Sequence, residues 1–247
     1  MKVAILGYGK MGKMIEQLLL DDHHTIVATI DNEEEWQTRL EAFKTAEVAI
    51  DFSMPTVAVA NMLKCFEYHV PVVVGTTGWL DQLGYVCDAC RQLNGSLVYG
   101  ANFSIGANLF MQLNKILADM MNRQGQYAAS MDETHHTTKK DAPSGTAVRL
   151  AKDILDNVDR FDHWELTQEG ESIADPMALP VNAHRIGTVP GIHTITWHSE
   201  DDDIVITHNA HSRRGFAMGA VQAAKWLVNH PGIHDFQNIA LNLMQGQ

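Results

Sequence analysis

Cysteine and proline are scarce in this chain, long apolar runs are missing, and positive charge is well outnumbered. The three cysteines, Cys65, Cys87 and Cys90, are too few to staple a disulfide scaffold. Cys87 and Cys90 form a C-x-x-C, but they fall in a helical pattern with Leu80, Leu83 and Leu93, and no second ligand pair accompanies them. Core filling is therefore the expected role, rather than redox or zinc chemistry. No apolar run reaches the roughly 20 residues of a membrane-spanning helix. The N-terminus enters a strand pattern directly, without the basic and apolar regions of a signal peptide, so a cytoplasmic location is expected. Lysine and arginine number 18 against 30 aspartates and glutamates, a net charge of −12. That balance argues against nonspecific binding to nucleic acid or to an anionic membrane surface. An anionic ligand would need a locally positive pocket.

What is present divides into two patterns. Residues 3–7 are a short apolar strand running into Gly7-Tyr8-Gly9-Lys10-Met11-Gly12, and a helical pattern follows through Met14, Ile15, Leu18 and Leu19. This is G-x-G-x-x-G between a strand and a helix, where glycines permit a tight turn and the close approach of a pyrophosphate. The next strand, 25–30, ends at Asp31, placed to bind ribose hydroxyls. A carboxylate there would repel a ribose phosphate, and Asn32, Glu33, Glu34 and Glu35 follow without an adjacent arginine, so the sequence leans towards NADH. The glutamates read otherwise as solvated surface. Strand patterns at 47–52, 69–74 and 96–99 alternate with helices and end in polar loops, including Ser53-Met54-Pro55, Gly75-Thr76-Thr77-Gly78 and Gly100-Ala101-Asn102-Phe103-Ser104. These features predict an α/β fold with a Rossmann-type dinucleotide-binding domain.

After a long helical pattern at 105–121 the alternation stops. Strands are expected at 127–132, 183–189, 192–198 and 203–210, and residues 158–182 read as a long surface connection. Strands without intervening helices predict a second α+β domain with a mixed or antiparallel sheet. A helical pattern at 216–228 is expected to pack back on the first domain. The division is therefore 1–104 completed by 215–247 for dinucleotide binding, and 105–214 for substrate binding and oligomerisation.

The second domain opens with the densest chemistry in the chain, Glu133-Thr134-His135-His136-Thr137-Thr138-Lys139-Lys140-Asp141-Ala142-Pro143-Ser144-Gly145-Thr146-Ala147. Histidine can hand over a proton near neutrality, and a lysine four residues on supplies a compact cation. Helical spacing of Ala147, Leu150, Ala151, Ile154 and Leu155 puts Ser144, Gly145 and Thr146 in a first turn, where unpaired N–H groups favour a carboxylate. Either Asp141 or Ser144 caps that helix. Together these groups suit an anion that must also be protonated. A metal site at Asp132, Glu133, His135 and His136 is disfavoured, because adjacent histidines on an extended segment point apart, and no metal is expected. A different two-domain NAD-dependent dehydrogenase and a nucleotide-sensing regulator remain as competing readings. The first has no need of the His-His-x-x-Lys and Pro-Ser-Gly-Thr combination, and the second would more readily have lost His135 or Lys139.

Glu133 to Ala147 matches E-x-H-H-x-x-K-x-D-A-P-S-G-T-A, and on this signature the chain resembles the dihydrodipicolinate reductase family over nearly its whole length. Arg185-Ile186-Gly187, Gly191-Ile192-His193 and the segment from His208 to Arg213 resemble the family's second domain and closing segment. The resemblance implies hydride transfer from NADH or NADPH to the ring of a cyclic imine dicarboxylate with loss of water, giving tetrahydrodipicolinate in lysine and diaminopimelate biosynthesis. It implies His135 as proton donor with Lys139 as its partner, and His136, Ser144, Gly145 and Thr146 as substrate-binding groups. The cofactor would meet Gly7, Tyr8, Gly9, Lys10, Met11, Gly12, Asp31, Gly75, Thr76, Thr77, Gly100, Ala101, Asn102 and Phe103. A homotetramer joined through the second domain is also implied. Asn32 stands where strongly NADPH-using relatives carry a base.

Overall fold

The computed structural model describes residues 1–167 and 175–245. The chain divides into two compact units, one formed by Met1–Ile105 together with the segment from Arg214 onward, the other by Gly106–Arg213. No helix among the described residues is long and apolar enough to cross a membrane.

In the first unit β1 (Lys2–Leu6), β2 (Thr25–Ile30), β3 (Val48–Asp51), β4 (Val72–Val74), β5 (Leu97–Tyr99) and β11 (Ile233–Asp235) form one sheet in the order β11-β5-β4-β3-β1-β2. Every neighbouring pair is parallel. Burial of β1, β3 and β4 follows from their short apolar runs, since parallel strands are covered on both faces. One face carries α1 (Lys10–Asp21), α7 (Arg214–Leu227) and α8 (Phe236–Gln245), through Ile15, Leu19, Ala220, Ala224 and Ile239. The other carries α2 (Glu33–Phe43), α3 (Pro55–Glu67) and α4 (Leu83–Gln92), through Trp36, Phe43, Met62, Phe66 and Val86. Asn32 caps α2 by accepting from the Glu35 N–H at 2.9 Å, so Glu33, Glu34 and Glu35 occupy the first turn, at the positive end of the helix dipole. Their run has a local structural cause beyond solvation.

The second unit pairs β6 (Ala128–His135), β7 (His163–Thr167), β8 (Ala178–Arg185), β9 (Gly191–His198) and β10 (Asp203–Ala210) in the order β10-β9-β6-β8-β7. Its sheet is mixed: β6 and β7 run parallel to β8, while β9 is antiparallel to β6 and β10. The core lies between one face of this sheet, with Met131, Val181, Ile195 and Trp197, and the buried sides of α5 (Ile105–Asn122) and α6 (Gly145–Leu155).

Three expectations need correction. The reading of 158–182 as a surface connection fails, because β7 and the first half of β8 lie within it; residues 168–174 of that span fall outside the described residues. Pro180 sits in β8 with its carbonyl edge still usable, opposite Glu165 of β7. The strand expected at 183–189 therefore starts at Ala178 and ends at Arg185. The strand expected to end at residue 132 continues to His135, because alternation of buried and half-buried positions persists through Glu133 and His135 although both are polar. Residues 233–245 supply the edge strand β11 and helix α8.

Close approach fixes α7. A Cβ on Gly219 would collide with the backbone carbonyl of Phe103. Alanine at an ordinary helix position is favourable by about 1 kcal/mol over glycine. Here Gly219→Ala is expected to destabilise the protein by about 1–3 kcal/mol through overpacking, read as a lower urea midpoint at unchanged slope. An unchanged or raised midpoint would show that α7 withdraws freely.

Candidate functional site

In the first unit the candidate groups gather at the carboxyl ends of β1 and β3, where the strand order reverses, β1 leading to β2 on one side and β3 to β4 on the other, the crevice at which open α/β sheets bind ligands. Gly7 turns the chain at φ 85°, and its N–H donates to the Ile30 carbonyl at 2.8 Å. Gly12 packs against the Gly7 carbonyl, leaving no room for a side chain. Gly9 opens α1, and a Cβ there would meet nothing within 4 Å. No protein neighbour requires that glycine, which leaves the free N–H groups of the first turn open to an anion. Asp31 accepts from the Tyr8 N–H at 2.8 Å, so turn and carboxylate are held in register. These features fit a dinucleotide.

A cavity of about 430 Å³ brings together Gly9, Lys10, Met11, Gly75, Thr76 and Thr77, and adds Phe52, Ser53 and Pro55. Gly7, Gly12, Asp31, Gly100, Ala101, Asn102 and Phe103 do not line it. Gly7 and Gly12 shape the turn, while the Phe103 ring is buried between Phe52 and Phe236, at centroid distances of 6.0 and 4.4 Å. Asn102 accepts from the Ser104 N–H at 2.9 Å. The Thr76 hydroxyl turns inward, donating to Asp51 at 2.6 Å.

Asp51 was missed by sequence reasoning. It is fully buried and accepts in addition from the Ser53 N–H and hydroxyl, at 3.0 and 2.8 Å, and from Asn61 at 2.8 Å. Burial raises its pKa, against these hydrogen bonds. One carboxylate thus ties together the loops after β3 and β4. An acidic residue closing an apolar strand was the available signal. Asp31 lines a second, smaller cavity of about 130 Å³ with Glu33, Trp36 and Lys64. Lys64, a cation that the local sequence did not reveal, lines it paired with Glu33 at 2.9 Å, and Glu35, which accepts from the Asp31 N–H at 2.7 Å, pairs with Arg39 at 3.5 Å.

In the second unit the period of two along β6 sets Met131, Glu133 and His135 on the buried face. Register then supplies their neighbours: His193 of β9 lies opposite Glu133, and Arg185 of β8 lies opposite His135. Glu133 is wholly buried. One of its oxygens meets His135 Nδ1 in a short contact, while the other accepts from Arg185 at 2.9 Å and from the Ser144 N–H at 3.3 Å. Ser144, not Asp141, caps α6, its hydroxyl accepting from the Ala147 N–H at 3.2 Å. The same hydroxyl meets His193 Nε2 at 3.1 Å. Ser144 is therefore committed to internal partners through both its N–H and its side chain. Gly145 and Thr146 follow in the first turn, and no acceptor among the described residues meets their N–H groups.

Burial lowers the pKa of His135; the Glu133 carboxylate opposes this, while Lys139 and Arg185 reinforce it. His193 is buried more deeply and its pKa falls to about 3, first through desolvation and then through His135 and His208, so it is neutral at working pH. Its Nδ1 meets no partner among the described residues. Lys139 pairs with Asp141 at 2.8 Å, and His136 turns away from the cluster, Nδ1 meeting the Thr138 hydroxyl at 2.8 Å. Donor atoms of Glu133, His135 and His193 lie within 4.8 Å of one another. Asp132 and His136, weighed as ligands beside Glu133 and His135, are not in that group; His193 is. With Arg185 on Glu133 and Lys139 close by, the donor set is compensated by fixed cations and suits proton handling better than a further positive ion. Arg185 and His193 were quoted within motifs of the sequence, but their roles depend on strand register, which no local pattern reveals.

Residues 1–103 match the family model for the dihydrodipicolinate reductase N-terminus, and residues 106–240 that for its C-terminus. A 4-hydroxy-tetrahydrodipicolinate reductase of Christiangramia forsetii is 41% identical over 245 residues, covering 99% of this chain and all of that protein. One from Staphylococcus aureus is 35% identical over 250 residues, covering 97% of this chain and all of that protein. Among solved structures, dipicolinate-bound dihydrodipicolinate reductase from Paenisporosarcina sp. TG-14 matches with a TM-score of 0.76 at 22% identity, over 96% of this chain and 98% of that one. This chain belongs to the dihydrodipicolinate reductase family.

Proposed function

We propose that this chain reduces 4-hydroxy-tetrahydrodipicolinate to tetrahydrodipicolinate, with loss of water, in lysine and diaminopimelate biosynthesis. The observation that carries the reading is the juxtaposition of His135, anchored on buried Glu133, with the first turn of α6 and with Lys139. When bound, the reduced nicotinamide supplies the hydride. Gly9, Lys10 and Met11, on the turn shaped by Gly7 and Gly12, would hold its pyrophosphate, Asp31 and Tyr8 its adenosine ribose, and the loops at Gly75–Thr77 and Gly100–Phe103 its nicotinamide half. The N–H groups of Gly145 and Thr146 take one substrate carboxylate, while Ser144 acts by organising the turn. Lys139 supplies fixed positive charge, which stabilises the anionic ring more as electron density builds than before. His135 delivers the proton.

A depressed pKa leaves resting His135 largely neutral at pH 7, and a dicarboxylate entering beside it raises that pKa. The site therefore recruits its proton together with the substrate. NADH is preferred, because Asp31 lies among Glu33 and Glu35 and both nearby cations are already paired. The second unit joins a homotetramer; the exposed apolar residues Leu109, Leu113, Ile116 and Met120 along α5 support an interface there.

The decisive experiment is nicotinamide oxidation measured separately with NADH and NADPH while the ring substrate is generated in situ. Oxidation that requires every component, faster with NADH, is expected; tight cofactor binding without it would reject the reading. In the same assay His135→Gln is expected to lower turnover by about a hundredfold or more with the cofactor KM nearly unchanged. Asp31→Ala should weaken NADH more than NADPH, and equal losses would remove the ribose contact. Binding of pyridine-2,6-dicarboxylate at pH 7 is expected to take up protons, seen by calorimetry in buffers of different ionisation heat. That uptake should vanish in His135→Gln, since the proton enters as a depressed pKa rises.

A further inference from the structure

We infer that Glu133 and Arg185 form a positioning pair that sets which nitrogen of His135 carries the exchangeable proton and at what pH it is loaded. This rests on the reading of His135 as proton donor, and adds two residues that need not touch the substrate.

The geometry begins with strand alternation. Glu133 and His135 are two residues apart on one face of β6, so the carboxylate reaches the nearer ring nitrogen, Nδ1. A neutral imidazole bonded to a carboxylate through Nδ1 keeps its hydrogen there, because the carboxylate only accepts. Nε2 is then the nitrogen that gains and loses the working proton. It faces Gly191, the first residue of β9, where a Cβ would stand 2.9 Å from Nε2. The absence of a side chain at 191 leaves that nitrogen uncrowded.

Arg185 adjusts the strength of this hold. Its guanidinium donates to the Glu133 oxygen that does not meet His135, at 2.9 Å, and also to the carbonyls of His184, at 2.7 Å, and Asp141. These anchors keep the guanidinium in place, where it withdraws negative charge from Glu133 and adds positive charge near the imidazole. The other polar groups around the ring are Lys139 from the loop after β6, itself paired with Asp141, neutral His193 from β9, and Ser144 at the start of α6. Glu133 is the one anion in direct contact with His135 among the described residues. Removing it and removing Arg185 must therefore act on His135 in opposite directions. A purely structural pair would not show opposite signs.

The test follows the His135 imidazole by ¹⁵N NMR on histidine-labelled full-length protein, assigned with His135→Gln, alongside the pH profile of kcat. Wild type should show the Nδ1–H tautomer when neutral. Glu133→Gln is expected to mix the tautomers, move the titration midpoint and the kcat profile to lower pH, and cut kcat at pH 7 by about tenfold or more, leaving the cofactor KM within about twofold. Arg185→Met should move the midpoint to higher pH. An unaltered tautomer and midpoint in Glu133→Gln overturns the inference. If that variant fails to fold, an Arg185→Met midpoint that stays or falls overturns it equally. Opposite midpoint shifts in a protein whose kcat ignores His135→Gln would retain the pair and reject His135 as the donor.

Discussion

The second unit is arranged around a carboxylate that could not be there alone. A buried, unpaired Glu133 would cost several kcal/mol, and three donors from three segments offset that cost: His135 from its own strand, Arg185 from β8 and the Ser144 amide from the start of α6. Each donor thereby loses freedom of its own. The imidazole is held by one nitrogen, the guanidinium by its other carbonyl acceptors, and the helix by its first amide, while the Ser144 hydroxyl completes the cap and reaches His193. The helix dipole is thus partly used inside the protein, and the carboxylate that takes the Ser144 amide also sets the orientation of the imidazole. The helix start and the imidazole share one anchor.

The first unit uses the same device with different chemistry. Asp51 is likewise buried at the end of a strand and takes hydrogen bonds from the loops after β3 and β4. Among the described residues no cation compensates it; neutral donors surround it, and burial raises its pKa. In both units an acidic residue that ends or interrupts an apolar strand ties together segments distant from it in the chain. The exposed acid, Asp31, stands apart from these two, since it retains an oxygen beyond its bond to Tyr8.

Much of this was legible because it is local. Glycine spacing between strand and helix, an acid one strand later, and helical periodicity after Pro143 depend on neighbours within a few residues. So does the assembly of His135 and Lys139. What escaped depends on register or on distant segments. Arg185 and His193 meet Glu133 through cross-strand pairing, Lys64 reaches the Asp31 region from α3, and β7 and the start of β8 form where prolines and polar residues hid the strand signal. The second role of Ser144 was also hidden. Its position announced a cap, whereas its hydrogen bond to His193 requires β9 to lie under the helix.

β11 has a consequence in time as well as in space. It pairs with β5 through partners more than 130 residues away in the chain, the Leu97 N–H donating to the Gly232 carbonyl at 2.8 Å, and Phe236 then packs against Gly100 and Phe103. During synthesis the strands of the first unit emerge early but wait for their edge, while Gly106–Arg213 contains all five strands of its own sheet and can close first. A chain truncated after residue 213 and released would therefore carry every strand of its second sheet but leave the first sheet with an open flank, the form most exposed to chaperones and to edge-to-edge pairing.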